Sequence, residues 1–193
     1  MAEAPTILVT PDPRLRNKSK KVVAGSSETK KIVEKMIKLA RNWEKRHPHE
    51  ISAAMAAPQM GIHKRVVIVR EDQDDKEGNS WTALINPEVI RTEGKNIADY
   101  EGCLSVPMLY GMVERPQKVK LKAWTLDGAE VRIKAEGTLA RILLHEIDHL
   151  DGILFVDRIK GKSDTLFNLD DKGELKPIPK DEVKKYEATI FGK

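Results

Sequence analysis

Between Leu143 and Gly152 the chain reads Leu-Leu-His-Glu-Ile-Asp-His-Leu-Asp-Gly, with two histidines four apart and a glutamate beside the first. A helix of about 3.6 residues per turn brings His145 and His149 onto one face, and Glu146 then flanks them about 100° around. Leu139, Ile142, Leu143, Leu144, Ile147 and Leu150 wrap nearly all round the helix expected from Thr138 to Leu150, so that helix belongs in a core. Two imidazoles and a carboxylate buried there without partners each cost on the order of 1 kcal/mol or more. A bound metal ion removes that cost, and Gly152 supplies a helix stop.

The rest of the chain supplies elements for such a helix to pack against. From Glu28 to Arg46, Ile32, Val33, Met36, Ile37, Ala40 and Trp43 recur at helical spacing, with Ser26 or Ser27 as cap and Pro48 just past the end. The Met and Trp of that stripe read as core. Ser52 to Gly61 is rich in small residues and, after Ser52, carries one polar side chain, Gln59, before the β-branched run Arg65–Val69. Asp72 to Ser80 is polar and reads as a loop, and Ala83–Asn86 with Val89 and Ile90 predicts a strand broken at Pro87. Gly102 before Cys103 predicts a backbone open to close approach. Lys118–Trp124 and Glu130–Ala135 alternate strictly on either side of Asp127-Gly128, which predicts an antiparallel hairpin with one buried face. Residues 1–27 read as an extended arm and residues 161–193 as a polar tail with a short helix from Asp181 to Phe191. With no repeat and no long linker, one domain over residues 1–193 is expected.

At 193 residues the chain can bury a core without disulfides or a structural metal, so a metal here serves function. Cys103 is the only cysteine, which rules out an intramolecular disulfide. No apolar run reaches the roughly 18 residues of a membrane span, and the N-terminus lacks the basic-then-apolar pattern of a secretory signal. The expected location is therefore the cytoplasm, or an organelle if a transit peptide has been removed. The formal net charge of +4 comes from basic residues scattered among acids, which argues for a solvated surface and against sequence-specific nucleic-acid binding.

A catalytic metal usually takes three protein ligands and leaves a position open, so the two histidines need a partner among Cys103, Glu174 and the nearby aspartates. Cys103 is the better ligand, because a thiolate binds soft and borderline metals strongly and the metal itself deprotonates the thiol. A cysteine nucleophile paired to a histidine leaves the His-Glu-x-x-His spacing unexplained. With Cys103, His145 and His149 on the ion, Glu146 can take a proton from water and pass it to a leaving amine, the chemistry of acyl–nitrogen hydrolysis. The Leu104 N–H and the Gln59 amide can donate to the oxyanion if their loops converge.

Three segments, Ala56-Ala57-Pro58-Gln59, Glu101-Gly102-Cys103-Leu104-Ser105 and His145-Glu146-x-x-His149-Leu150-Asp151-Gly152, resemble in order and separation the three signature motifs of peptide deformylases. The resemblance extends over about residues 5 to 160, through Asp12–Arg16, Ile85-Asn86-Pro87 and Asp157-Arg158. It implies an α+β fold with antiparallel β-sheets around a central metal-binding helix, and removal of the N-formyl group from formylmethionine on nascent chains with release of formate. It places the metal ligands at Cys103, His145 and His149, the acid/base at Glu146, and the oxyanion donors at Gln59 and Leu104. Its substrate-facing positions fall on Ala53, Ala54, Met55, Gly102, Thr138 and Ile142. The implied cofactor is one divalent ion, Fe²⁺ first, with Zn²⁺, Ni²⁺ and Co²⁺ as alternatives. Expected partners are N-formylmethionyl peptides and, through Lys176, Lys180, Lys184 and Lys185, the ribosome surface, without a membrane. Ser52 and Ala54 stand where the family usually has glycine, which predicts strain or crowding of about 1 kcal/mol or more.

Overall fold

Helix α1, Ser27–Arg46, starts where the Ser26 hydroxyl accepts a hydrogen bond from the Thr29 N–H, so the expected cap is made. Its stripe of Ile32, Val33, Met36, Ala40 and Trp43 is buried against one face of an antiparallel sheet. The computed structural model describes residues 6–47, 52–71, 80–162, 165–170 and 173–191. Pro48, expected after the helix, and residues 72–79 of the expected polar loop lie outside the described residues.

The sheet comprises β1 (Ala54–Ala56), β2 (Val66–Arg70), β3 (Trp81–Cys103), β4 (Val106–Trp124), β5 (Glu130–Glu136), β6 (Leu166–Leu169) and β7 (Leu175–Pro177). Its order is β1-β2-β3-β4-β6-β7, with β5 also on β4, and every pairing is antiparallel. All five residues of β2 are buried because both of its faces are covered: Val66 and Ile68 pack toward α1, Val67 and Val69 toward the opposite core. The hairpin around Asp127-Gly128 forms as expected, pairing Lys118–Trp124 with Glu130–Glu136.

That opposite core is closed by α2, Gly137–Leu150, which carries the two histidines. Ala140, Leu143, Ile147 and Leu150 pack on β-strand residues such as Val67, Val119 and Leu121. The helix ends as expected at Gly152, in the left-handed region at φ +75°. A Cβ there would lie 2.3 Å from the Arg16 carbonyl oxygen, so glycine is required twice over.

Two expectations change. Pro87 does not break a strand, because β3 passes through it with a register shift between Ile85 and Glu88. The β2 ladder ends at Ile85, so proline removes no donor there, and Asn86, at φ 50°, clamps Val22 with its amide at 2.9 and 2.8 Å. Nor is the segment from residue 161 onward only a polar tail. It contributes β6, β7 and α4 (Lys180–Phe191), and it buries Leu166, Ile178, Val183 and Ile190 against Phe155 and Ile159 of the turn that includes α3, Phe155–Arg158. Its few apolar residues are spaced by strands and turns, which hides them from a helical-period reading.

Candidate active site

On α2, Thr138, Ile142, His145 and Glu146 fall on one stripe and line a cleft of about 520 Å³. Cys103 enters from the end of β3, and its Sγ lies 3.2 Å from His149 Nε2. Among the described residues, Cys103, His145 and His149 form a group whose ligand atoms all lie within 4.8 Å of one another. Ligand bonds of about 2.0–2.3 Å place two ligands of one ion roughly 3.5 Å apart, so this spacing fits a single metal. Glu146 stands beside the group and is 5% exposed, and its Oε2 is buried with no hydrogen-bond partner among the described residues. Burial pushes its carboxyl up to about 7. A soft thiolate, two imidazoles and an unsatisfied acid suit a catalytic ion. Glu174, the alternative third ligand, is exposed and paired with Lys176.

His145 is held by charge. His145 Nδ1 contacts Glu101 Oε2 at 2.9 Å, which leaves its Nε2 for an ion. Arg115 binds Glu101 in a fork, with contacts of 2.7 and 2.8 Å, and also donates to Asp148 at 2.6 Å. Arg141 adds a 2.8 Å bond to Glu101, and Arg158 pairs with Asp148. Burial opposes ionisation of Glu101, but the Arg115 and His145 contacts overcome it and hold the carboxyl well below its usual range. Burial likewise lowers His149, which favours the neutral imidazole that a metal requires. For His145, burial is outweighed by hydrogen bonds to Cys103 and Glu101, which hold it above its usual value, so an ion on its Nε2 would have to displace a proton there.

Gln59, the one polar side chain between Ala53 and Gly61, reaches the site. Its Oε1 accepts the Ala56 N–H at 2.9 Å, and this fixes its Nε2, which lies 3.2 Å from Ser105 Oγ and 3.7 Å from Cys103 Sγ. The Ser105 N–H also donates to Cys103 Sγ, at 3.4 Å. Leu104, in the turn after Cys103, lines the same cleft.

A match to the family model described as polypeptide deformylase covers residues 4–165. The chain belongs to the polypeptide deformylase family. It is 45% identical to the peptide deformylase of Halothermothrix orenii over 77% of this chain and 88% of that one. Its identity to the Thermomicrobium roseum enzyme is 39%, over 95% and 96% respectively. The crystal structure of a peptide deformylase from Legionella pneumophila superposes with a TM-score of 0.72 at 33% identity, covering 83% of this chain and 88% of the other. The expected mixture of helices and antiparallel sheet is that of these deformylases, which are metal-dependent hydrolases acting on nascent chains. No helix among the described residues is long and apolar enough to cross a membrane.

Of the expected substrate-facing residues, Ala53, Ala54, Gly102, Thr138 and Ile142 line the deformylase cleft. Met55 does not: the pleat of β1 turns its side chain into the α1 core, where it is fully buried, while Ala54 and Ala56 face α2. Gly102 is small for a different reason than expected. A Cβ there would lie 2.5 Å from the Tyr110 ring, so the close approach comes from a neighbouring strand. Ser52 and Ala54 bring no left-handed strain, since Asn86 and Met108 are the non-glycine residues with positive φ among those described. Sequence reasoning missed Glu101 as the partner of His145, although residues two apart on a strand share a face and Glu101 stands two before Cys103. It also missed Trp43, Tyr110 and Leu169 as cleft walls, for which the sequence carries no local signal.

Proposed function

We propose that residues 1–193 act as one catalytic domain in the cytoplasm, with Cys103, His145 and His149 holding the metal and Glu146 as the acid/base that cleaves the formyl group from N-terminal formylmethionine. The observation that carries this reading is the convergence of those three ligand atoms beside the buried, unpartnered Glu146 Oε2. When bound, a divalent ion supplies Lewis acidity that makes water a competent nucleophile near neutral pH. Glu146 accepts the proton of the attacking water and delivers it to the departing amine, freeing formate and the methionyl amine. The Gln59 amide and the Leu104 N–H donate to the oxyanion that forms at the formyl oxygen as water adds to the carbon. Ala53, Thr138 and Ile142 give the methionine side chain an apolar wall, and Ala54 and Gly102 flank the peptide backbone.

The thiolate among the ligands favours a borderline metal, and Fe²⁺ is the ion we propose, with Ni²⁺, Co²⁺ or Zn²⁺ able to replace it. Elemental analysis of anaerobically purified protein, paired with formate release from a formyl-Met peptide, tests ion and reaction together. No formate from Fe²⁺- or Ni²⁺-loaded protein rejects the reading. Cys103→Ala should lose the metal; retained metal would return Glu174 or an aspartate to consideration.

For the ribosome, Lys160, Lys162, Lys180 and Lys184 converge around one pocket between α3 and α4, a concentration of charge suited to an RNA phosphate surface. Lys176 is less suited, being paired with Asp170 and Glu174. Truncating the segment would remove core residues Val183 and Ile190, so charge reversal at Lys180 and Lys184 is the cleaner test. Unchanged ribosome co-sedimentation removes this surface from the proposal.

A further inference from the structure

The metal centre accounts for one side of the cleft; the side formed by Ser52, Ala53 and Ala54 has its own support. Strand β1 is three residues long, and its ladder to β2 ends with the Arg70 N–H donating to the Ala53 carbonyl at 2.9 Å. Beyond that bond no ladder among the described residues holds Ser52. Arg70 is the last residue of β2 on the face turned toward α1, and it is 2% exposed. Its guanidinium lies 4.6 Å over the Trp81 ring, its Nε donates to the Ser52 carbonyl at 3.4 Å, and its Nη2 contacts Glu44 Oε1 at 2.5 Å. The same Glu44 oxygen accepts the Ser52 N–H at 2.9 Å. Both backbone groups of Ser52 are thus held by one ion pair, between buried Arg70 and half-buried Glu44, and Glu44 follows Trp43, another wall of the cleft.

We propose that Glu44 and Arg70 are positioning residues for the substrate, an ion pair that fixes the Ser52–Ala54 wall and its distance from Trp43. This rests on the deformylase reading of the cleft. A pair serving stability alone would be satisfied by its own contacts. Here the carboxylate oxygen is shared with the Ser52 N–H and the guanidinium with the Ser52 carbonyl, so the charges are oriented about the backbone that substrate must pass. Removing Arg70 leaves the Glu44 carboxylate without this cation, whereas replacing both with apolar side chains of similar size can restore stability. That separates anchoring from folding.

The test uses the metal-loaded full chain with Glu44→Gln, Arg70→Met and the double variant Glu44→Leu/Arg70→Met. In the double variant the proposal expects Tm to recover toward wild type. It also expects KM for a formyl-Met tripeptide to stay raised about fivefold to tenfold with kcat changed less than about twofold, because binding geometry and not the reacting groups is lost. Glu44→Gln keeps an acceptor for Ser52 and should show the smaller rise. Acetohydroxamate, which reaches only the metal centre, should inhibit all variants equally. Hydrogen exchange at the Ser52 amide should quicken roughly tenfold in the double variant. If KM returns to wild type along with Tm, or Ser52 exchange is unchanged, the pair serves stability alone and the proposal is overturned. Should wild type release no formate, the deformylase reading fails by itself, and the Ser52 exchange still decides whether the pair holds the wall.

Discussion

The two sides of the cleft are built on opposite terms. Below the metal ligands, Glu101, Arg115, Arg141 and Asp148 are buried charges joined in one network. Across from them, Ser52–Ala54 is a stretch of small side chains at the end of a three-residue strand, held through its backbone. A buried charge network tolerates few geometries, because each unpaired member costs several kcal/mol, so it defines the reacting atoms. A wall of small residues has little to lose when altered and can set how substrate fits. The proposed roles would then separate chemistry from selectivity in space, and substitutions on the two sides should differ both in size and in the quantity they move.

The largest effect is expected at the reacting group. Glu146→Gln keeps the shape of the side chain and removes proton transfer, so kcat should fall by about 10²–10⁴ with metal content retained. Formate release and elemental analysis on one preparation check both halves; metal loss would recast Glu146 as a ligand. Next is the network. Arg115→Met leaves the Glu101 and Asp148 carboxylates without their shared cation and should cost about 3 kcal/mol or more of stability in urea unfolding. A cost below about 1 kcal/mol would mean that Arg141 and Arg158 alone neutralise the site. Glu101→Gln keeps a hydrogen-bond partner for His145 while removing its charge, and metal affinity should drop about 10- to 100-fold in a competition titration. Unchanged affinity would make Glu101 a partner of the arginines only.

The same division explains what could be read in advance. His145 and His149 are legible because helical spacing alone puts them on one face with Glu146 flanking them, and Cys103 because metal chemistry asks for a third ligand. Strict alternation exposes the β4–β5 hairpin in the same way. The network behind the histidines is not legible: Arg115 lies in a run of charged and polar residues, and only the pairing of β4 with β3 and the packing of α2 bring it to Glu101 and Asp148. The wall is legible only as small residues, since its anchor joins Glu44, Ser52 and Arg70 through α1 and β2. The strain expected from the missing glycines follows from reading residue types without φ, and the backbone at Ser52 and Ala54 stays outside the left-handed region.

Ala54→Gly gives the smallest effect and the sharpest test of the wall. Because no left-handed φ is relieved, any benefit must come from removing one methyl group from the cleft, which Ala54 lines together with His145 and Glu146. The same methyl group packs against the α2-side core, and Ala54 is 9% exposed. Glycine in a strand also costs about 0.5–1 kcal/mol of stability through chain entropy. The variant should therefore melt slightly lower and raise kcat/KM on a formyl-Met peptide about twofold to threefold, with the change in KM and not in kcat. Ser52→Gly should leave KM unchanged, since both Ser52 backbone groups are already engaged by Glu44 and Arg70. If Ala54→Gly instead moves kcat, the wall reaches the reacting atoms and the separation of chemistry from fit fails. If it moves neither constant, the peptide runs clear of the Ala54 methyl group, and fit is set by Trp43 and Tyr110 on the other walls.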